Sequence, residues 1–434
     1  MSLDGSPYQG YLYAYPHKTA YRRLEPRPLL SEVWAHEPTS ALFAYVHIPF
    51  CEIRCGFCNL FTRTRPPAEQ VTAYLAQIDR QARAVRDALG DRPAFARLAI
   101  GGGTPTYLTA PELERLFAVV GGTLGAAGVP ATVETSPATA TPDRMAVLAD
   151  HGVTRVSIGV QSFLESEARA AVRPQKPSEV QSALETIRAG GVPALNLDLI
   201  YGIDGQTRES WHVSLTQALR WHPEEIFLYP LYVRPLTGLD RRARTVADWD
   251  AQRLDLYRYA VDFLKDAGYV QDSMRQFRRA DAPADEAPDY SCQDDGMVGL
   301  GCGARSYTRD LHYSFDYAVS VPEVRAVIDD YVARPAGDFR YAEFGFNLDE
   351  GEQRRRWLVK SLLRAEGIDS AAYEKRFGTR HDDDFPQLRD LTERGWLEAG
   401  HTRLTAEGLA HSDSVGPWLV SGPVRAAMAA HTLR

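Results

Sequence analysis

From Ala41 onward the chain alternates short apolar runs with longer stretches in which apolar residues recur every three or four positions. The short runs predict strands at Leu42–Ile48, Ala96–Ile100, Ala131–Glu134, Arg155–Val160, Ala194–Ile200 and Glu225–Leu228. Between them the amphipathic period predicts helices at Ala68–Leu89, Pro111–Leu124, Thr141–His151, Pro177–Ala189 and Thr207–Arg220. Each opens near a Pro, Ser or Thr of the kind that starts helices. Repeated strand–helix units imply an α/β fold with a parallel sheet and helices packed outside it. Six units suit a partial barrel and fall short of the closed eight-stranded one. In such barrels chemistry gathers at the C-terminal ends of the strands.

After Thr245 the pattern loosens into a long helix and an irregular stretch around Asp281–Asp289, which reads as a surface loop. The glycine-rich segment Gly299-Leu-Gly-Cys-Gly-Ala304 follows. From about Phe344 a new helical pattern begins, ending with Leu388–Arg394, Gly395-Trp-Leu-Glu-Ala-Gly400 and Arg403-Leu-Thr405. Helix, helix and short β-wing predict a small, mainly α, winged-helix-like appendage. The expected domains are an aromatic-rich N-terminal extension (1–40), the barrel core (41–335) and this C-terminal domain (336–434). Winged helices often read DNA, but the acidic run Asp382–Asp384 precedes the second helix and favours a structural or lid role.

Composition narrows the field. A chain of 434 residues suggests a large domain plus a smaller one, and 44% hydrophobic with 10% aromatic residues describes an ordinary globular protein. A net charge of −8 argues against a nucleic-acid partner, which needs a clustered basic surface. The basic stretches Arg241–Arg244 and Arg354–Arg356 read as solvated helix faces, with a local anion site as the alternative. No apolar stretch reaches membrane-spanning length and Met1–Ser6 lacks a signal peptide's regions, so no membrane partner is expected. Five cysteines make a disulfide framework unlikely to close, and Cys292 and Cys302 read as free thiols of a cytoplasmic protein.

The candidate chemistry sits directly after the first predicted strand. Cys51, Cys55 and Cys58 have the spacing C-x3-C-x2-C and offer three thiolates from one loop. A fully protein-ligated 4Fe-4S cluster usually takes four cysteines, so three leave one iron open. Structural zinc would want a fourth ligand. His47 lies four residues before Cys51, but its segment Tyr45–Phe50 is an apolar strand with a proline, a poor loop for wrapping zinc. Iron–sulfur is the better reading.

Five motifs then occur in order: Tyr45-Val-His-Ile-Pro-Phe-Cys51, Gly101-Gly-Gly-Thr-Pro-Thr106, Ser157-Ile-Gly-Val-Gln-Ser-Phe163, Asp198-Leu-Ile-Tyr-Gly202 and Gly299-Leu-Gly-Cys-Gly-Ala304. With the cysteines, they resemble the radical S-adenosylmethionine (SAM) superfamily and, within it, its oxygen-independent coproporphyrinogen III oxidase-like (HemN-like) branch. The resemblance runs from about Tyr45 to Ser306, and the C-terminal appendage also looks like that branch's. It implies a partial (β/α)6 radical SAM barrel in which the open iron chelates SAM. An electron from a flavodoxin or ferredoxin-type donor then yields a 5′-deoxyadenosyl radical that attacks a small-molecule substrate.

The resemblance also implies site residues. Gly102, Gly103 and Thr104 follow the second strand, where glycine lets backbone N–H groups approach the SAM carboxylate; a tight turn is the plain alternative. Tyr45 and Phe57 could pack on SAM or belong to the core. Glu134 is placed for the ribose hydroxyls, or for capping a helix. Gln161, Arg173 and Asp198 match positions that hold a second SAM, Arg173 neutralising a carboxylate; otherwise Arg173 and Asp198 form a buried ion pair. Tyr232 and Arg305 occupy positions that touch SAM. No catalytic side chain beyond these stands out.

Departures point to a divergent subgroup. Asn59 and Leu60 stand where the oxidases usually carry another cysteine. Asp289-Tyr-Ser-Cys-Gln-Asp-Asp-Gly296 replaces the His-Asn-x-x-Tyr-Trp motif of related haem chaperones. The run Tyr11–Tyr21 is unlike the oxidase, and reads either as a substrate-covering segment or as an aromatic strap outside the barrel. The expected function is radical modification of a carbon centre using two SAM molecules, with methyl or methylene transfer favoured. Oxidative decarboxylation of the coproporphyrinogen type and haem-binding chaperone activity are the alternatives.

Overall fold

The predicted strands form β1 (Leu42–Ile48), β2 (Phe95–Gly102), β3 (Ala131–Thr135), β4 (Val153–Gln161), β5 (Ala194–Tyr201) and β6 (Glu225–Pro230), which lie side by side in that order, all parallel. The computed structural model describes residues 2–90, 93–239, 246–283 and 296–432. Helices α1 (Ala68–Leu89), α2 (Ala110–Ala118), α3 (Pro142–Asp150), α4 (Pro177–Ala189) and α5 (Arg208–Leu219) connect the strands. Helix α1 buries Val71, Leu75, Ile78, Ala82, Val85 and Leu89 along one stripe, the reason its period is legible in the sequence. Each buried aliphatic side chain contributes about 1.5–3 kcal/mol relative to exposure. In α2 the Thr109 N–H donates to the Glu112 carboxylate at 2.8 Å, a capping contact that fixes the start. The expected single helix Pro111–Leu124 instead widens into a π-helical turn at Val119–Leu124, which contains Gly121 and Gly122.

The two faces of the sheet differ. Val46, Ile48, Leu98, Ile100, Val133, Ile158, Leu197 and Leu228 are buried in the main core. Alternate residues on the same strands form rows across the inner face: Tyr45, Ala99, Thr132 and Arg155 are in register, as are Glu134, Ser157, Asn196 and Glu225. Arg155 and Glu225 pair at 2.7 Å across that inner face.

The sheet extends beyond the six predicted strands. On one flank β7 (Tyr269–Gln271) and β8 (Gln276–Arg279) add antiparallel to β6. On the other, β9 (Met297–Leu300) pairs parallel with β1, followed by antiparallel β10 (Arg305–Tyr307), β11 (Leu311–Ser314), β12 (Phe344–Asn347) and the two-residue strand Arg22–Arg23. The glycine-rich motif makes this hairpin possible. A Cβ on Gly299 would lie 2.3 Å from the Arg305 carbonyl oxygen, and one on Gly303 would lie 2.3 Å from the His47 ring.

The C-terminal region corrects two expectations. Phe344–Asn347 is a strand of the main sheet rather than the start of the appendage. The appendage itself, α6 (Glu350–Leu362), α7 (Ser370–Phe377) and α8 (Leu388–Glu393), packs around Leu358, Leu362, Tyr373, Leu388 and Leu391, and its wing is a single antiparallel bridge between Leu397 and Leu404. Arg354–Arg356 is not a solvated face. Arg354 pairs with Glu350 and Asp384, while Arg356 is fully buried and donates to the Thr308 carbonyl. Helices α9 (Ser412–Leu419) and α10 (Gly422–Ala429) then fold back over the barrel mouth. Arg241–Arg244, Cys292, most of Asp289–Gly296 and residues 284–289 of the expected surface loop lie outside the described residues. Among the described residues no helix is long and apolar enough to cross a membrane.

Candidate active site

The cysteine loop leaves β1 through Pro49 and is clasped at its base. Phe50–Cys51 pairs with Arg63–Thr64, and the Cys58 N–H donates to the Cys55 carbonyl at 3.0 Å. Cys51 Sγ lies 3.5 Å from Thr104 Oγ1, and Arg173 Nη1 lies 3.2 Å from Cys55 Sγ. Burial pushes the Cys51 thiol up to about 12, with the Cys58 and Cys55 thiols adding to the shift. Such thiols ionise readily only beside a soft metal cation. A Cβ on Gly103 would stand 2.7 Å from the Phe50 carbonyl oxygen and 2.9 Å from Cys51 Sγ, so glycine is what lets the second strand approach the loop. His47 is not free to complete a zinc site: its Nε2 contacts the Phe61 carbonyl at 3.0 Å, and burial lowers its pKa to about 4. Three thiols from one loop, cradled by Gly103 and faced by a guanidinium, fit a 4Fe-4S cluster.

One cavity of about 990 Å³ opens from this loop across the strand ends. It brings Cys51, Cys55 and Cys58 together with Phe57, Gly103, Thr104, Glu134, Gln161, Arg173, Asp198 and Tyr232. Tyr45, Gly102 and Arg305 stand one layer behind that wall. Tyr45 directs its hydroxyl to His47 Nδ1 at 3.3 Å, and Arg305 lies 4.7 Å from the Tyr13 ring centroid. Gly102, at φ +116°, donates its N–H to Glu134 Oε2 at 3.0 Å. That N–H is therefore engaged by a carboxylate rather than free.

Glu134 is exposed to the cavity, yet the surrounding protein mass pushes its carboxyl up to about 7, with Asp198 adding repulsion. A Cβ on Gly101 would lie 2.9 Å from this carboxyl group, so the first glycine makes room for it. Gln161 has φ +67° at a bulge in β4, where the pairing with β5 skips a residue. The bulge re-aims its side chain into the cavity. Asp198 accepts from Asn196 at 2.7 Å and Ser157 at 3.3 Å, and burial raises it to about 6. It does not ion-pair with Arg173. The Arg173 guanidinium instead donates to the Gly159 carbonyl at 2.6 Å, to Gln175 at 2.9 Å and toward Cys55 Sγ.

The opposite wall comes from elements with no strand or helix signal in the sequence. Tyr11, Tyr13, His17 and Thr19 line the cavity, so the N-terminal segment covers the barrel mouth. Asp413 of α9 accepts hydrogen bonds from both Tyr232 and Arg275, and the Arg275 guanidinium lies 3.8 Å from the Tyr11 ring centroid. Arg234, Arg275 and Arg425 also face the cavity. Sequence reasoning missed them. Arg234 follows β6 and the strand-end rule could have found it; Arg275 and Arg425 carry no local signal.

A sequence model of the Radical SAM superfamily matches residues 45–217, and one of the HemN C-terminal domain matches residues 348–411. The heme chaperone HemW of Bacillus subtilis is 26% identical over 374 residues, 85% of this chain and 95% of that protein. The oxygen-independent coproporphyrinogen III oxidase of Escherichia coli is 28% identical over 402 residues, 86% of this chain and 84% of that protein. The chain is a HemN-like radical SAM protein. Its fold matches the solved structure of Escherichia coli coproporphyrinogen III oxidase (HemN) with a TM-score of 0.79, over 95% of this chain and 97% of that one, at 23% identity. Membership of the superfamily implies a 4Fe-4S cluster and SAM.

Proposed function

We propose that this chain is a radical SAM enzyme that modifies a carbon centre of a small or medium organic molecule enclosed in the cavity. In this reading two SAM molecules bind and methyl or methylene transfer is the favoured outcome. The observation that carries the reading is a single cavity bounded on one side by three cysteine thiols and on the other by the strap and C-terminal helices. When bound, the cluster and SAM supply a 5′-deoxyadenosyl radical.

The chain's own groups do the rest. Cys51, Cys55 and Cys58 would hold the cluster by their thiolates, and Gly103 leaves the space beside Cys51. Glu134 and Asp198 accept hydrogen bonds from ribose hydroxyls or an ammonium. Gln161 and Phe57 orient the SAM molecules, while Arg173 places a positive charge against a ligating sulfur. Tyr11, Tyr13 and Tyr232 exclude water, protecting a radical from side reactions. Tyr45, Gly102 and Arg305 support these contacts from behind the wall. A flavodoxin or ferredoxin-type protein is the proposed electron donor.

Anaerobic incubation of the reconstituted enzyme with methyl-deuterated SAM and candidate substrates tests this. Deuterium in a new product, with S-adenosylhomocysteine, is expected. Carbon dioxide release from coproporphyrinogen III, without added carbon, would instead establish oxidative decarboxylation, the reading favoured by the similarity to the coproporphyrinogen oxidases. A stable haem absorption band after incubation with haemin, without substrate turnover, would favour the chaperone reading suggested by HemW.

A further inference from the structure

Two turns grip the middle of the cysteine loop. Gly56, between Cys55 and Phe57, donates its N–H to the Ala171 carbonyl at 3.1 Å and to the Val172 carbonyl at 3.3 Å. Its own carbonyl accepts from the Leu239 N–H at 3.0 Å. The first turn ends the short helix Glu165–Ala170. There the Val172 N–H donates to the Arg169 carbonyl at 3.0 Å and the Arg173 N–H to the Ala168 carbonyl at 2.9 Å. These are the paired bonds of a Schellman motif, with Val172 at its left-handed position. The second turn, Arg234 to Thr237, is closed by the Thr237 N–H on the Arg234 carbonyl at 3.2 Å, and Leu236 holds its left-handed third position.

Glycine is the residue that both positions favour. Val172 has φ +52° and Leu236 φ +65°, where a side chain crowds its own backbone and a β-branched one is an outlier. Among the described residues they are the only apolar non-glycine residues with left-handed backbone, and they are 41% and 46% exposed. Neither lines the cavity. Strain of this kind persists where something else compensates it, and a side chain so open gains little from core packing. What Val172 does touch is the loop. A Cβ on Gly56 would lie 2.7 Å from Val172 Cβ and 2.8 Å from its Cγ2, so the valine rests on the glycine's backbone. A Cβ on Gly238, two residues beyond Leu236, would lie 3.1 Å from Gly56 Cα. Gly56 is buried between them, while Asn59 and Leu60 of the same loop are exposed. Further in, Ala171 and Leu239 share a small apolar cluster against which Phe57 packs.

We propose that Val172 and Leu236 form an apolar shield over the cysteine loop, one that keeps water and small solutes from the iron–sulfur cluster held there. The inference rests on the cluster in the reading above and adds what protects it. Solvent access is one of the factors that set a cluster's potential and the ease with which its ligands exchange. Glycine at either position would relax the backbone and open the shield. Arg173 follows Val172 directly and reaches Cys55 Sγ, so shielding and the placing of Arg173 are separable effects of one turn.

Release of iron from the reconstituted holoenzyme to the ferrous chelator bathophenanthroline disulfonate, followed anaerobically by absorbance, tests the shield. Val172→Gly is expected to release iron about tenfold faster than the wild type. Val172→Asn, which suits the left-handed backbone but is polar, should also be faster, Val172→Ile should keep the wild-type rate, and Leu236→Gly should change it in the same direction as Val172→Gly. The melting temperature of Val172→Gly should hold or rise, because strain is relieved. Equal release from the wild type and Val172→Gly overturns the proposal. A lowered melting temperature in Val172→Gly does so too, since the valine would then serve stability. Val172→Gly should quicken release again in an Arg173→Met background; no added effect there would assign the valine to placing Arg173 and remove the shield. If the wild type takes up iron and the variants release it at the same rate, the shield alone falls. If the wild type takes up none, the cluster reading falls and the shield with it.

Discussion

The strand-end wall and the strap-side wall of the cavity are built on different principles. The first is made of short motifs, each attached to the end of a predictable strand, with glycines where two backbones or a carboxylate must come close. The second is made of single residues from an N-terminal strap, a loop before β8 and two C-terminal helices. Two buried junctions tie it together: Asp413 with Arg275 and Tyr232, whose ion-pair members are 1% and 4% exposed, and Glu352, which accepts from Tyr15 of the strap and from Ser421. Local geometry makes the first wall; long-range electrostatics makes the second.

The largest effects should come from the first wall. Replacing Cys51, Cys55 or Cys58 with Ala should abolish cluster assembly and 5′-deoxyadenosine formation, read by iron content and product analysis. Cys302→Ala should leave iron content near wild type, because Cys302 lies in the core against Tyr74 rather than on the cavity. Cluster loss in Cys302→Ala would add a fourth ligand and break the open-iron argument. Gly103→Ala should come close behind, since the added methyl cannot fit between Phe50 O and Cys51 Sγ; normal iron loading would show that the loop can yield.

The second wall should fail as a unit. Asp413→Asn leaves the Arg275 guanidinium buried with no anion and should cost about 3–5 kcal/mol in thermal unfolding. It should also expose the Tyr11–Tyr21 strap to proteases. A small shift in melting temperature with an unchanged digest would mean that the strap is held elsewhere.

The pH dependence has a defined sign. Glu134 and Asp198 are both raised in the folded protein, to about 7 and about 6. Between the ordinary carboxyl range and those values the unfolded chain is ionised while the folded one keeps its protons. The SAM-free protein should therefore lose stability as pH rises through about 4 to 7, and Glu134→Gln should flatten the upper part of that slope. If Glu134 accepts ribose hydroxyls as a carboxylate, SAM affinity should rise with pH across the same upper range in the wild type and not in the variant. Equilibrium binding at several pH values decides it. The smallest expected effect is electronic. Arg173→Met should keep the cluster but make its reduction potential more negative, because a cation beside Cys55 Sγ no longer favours the reduced state. Redox titration would expose an unchanged potential and remove that role.

The sequence alone settled the six-strand order, since periods of two and of three to four are properties of contiguous residues and survive without knowledge of contacts. It also offered the candidate donor set, because C-x3-C-x2-C needs only one loop, and most of the residues that line the first wall, because Glu134, Gln161 and Asp198 sit at or near strand ends. It misread Phe344–Asn347, a four-residue strand whose ladder partners, β11 and Arg22–Arg23, lie outside its own stretch of chain. Arg354–Arg356 looked like a solvated charge run, but Arg356 is buried against β11. Only the tertiary structure could bring Tyr11, Arg275 and Asp413 to one point, place Lys18 and Arg305 behind Tyr13, and turn an aromatic run into the cover of a cavity. A charge acquires its meaning from what lies opposite, and residues separated by hundreds of positions leave no shared period in the chain to announce that they meet.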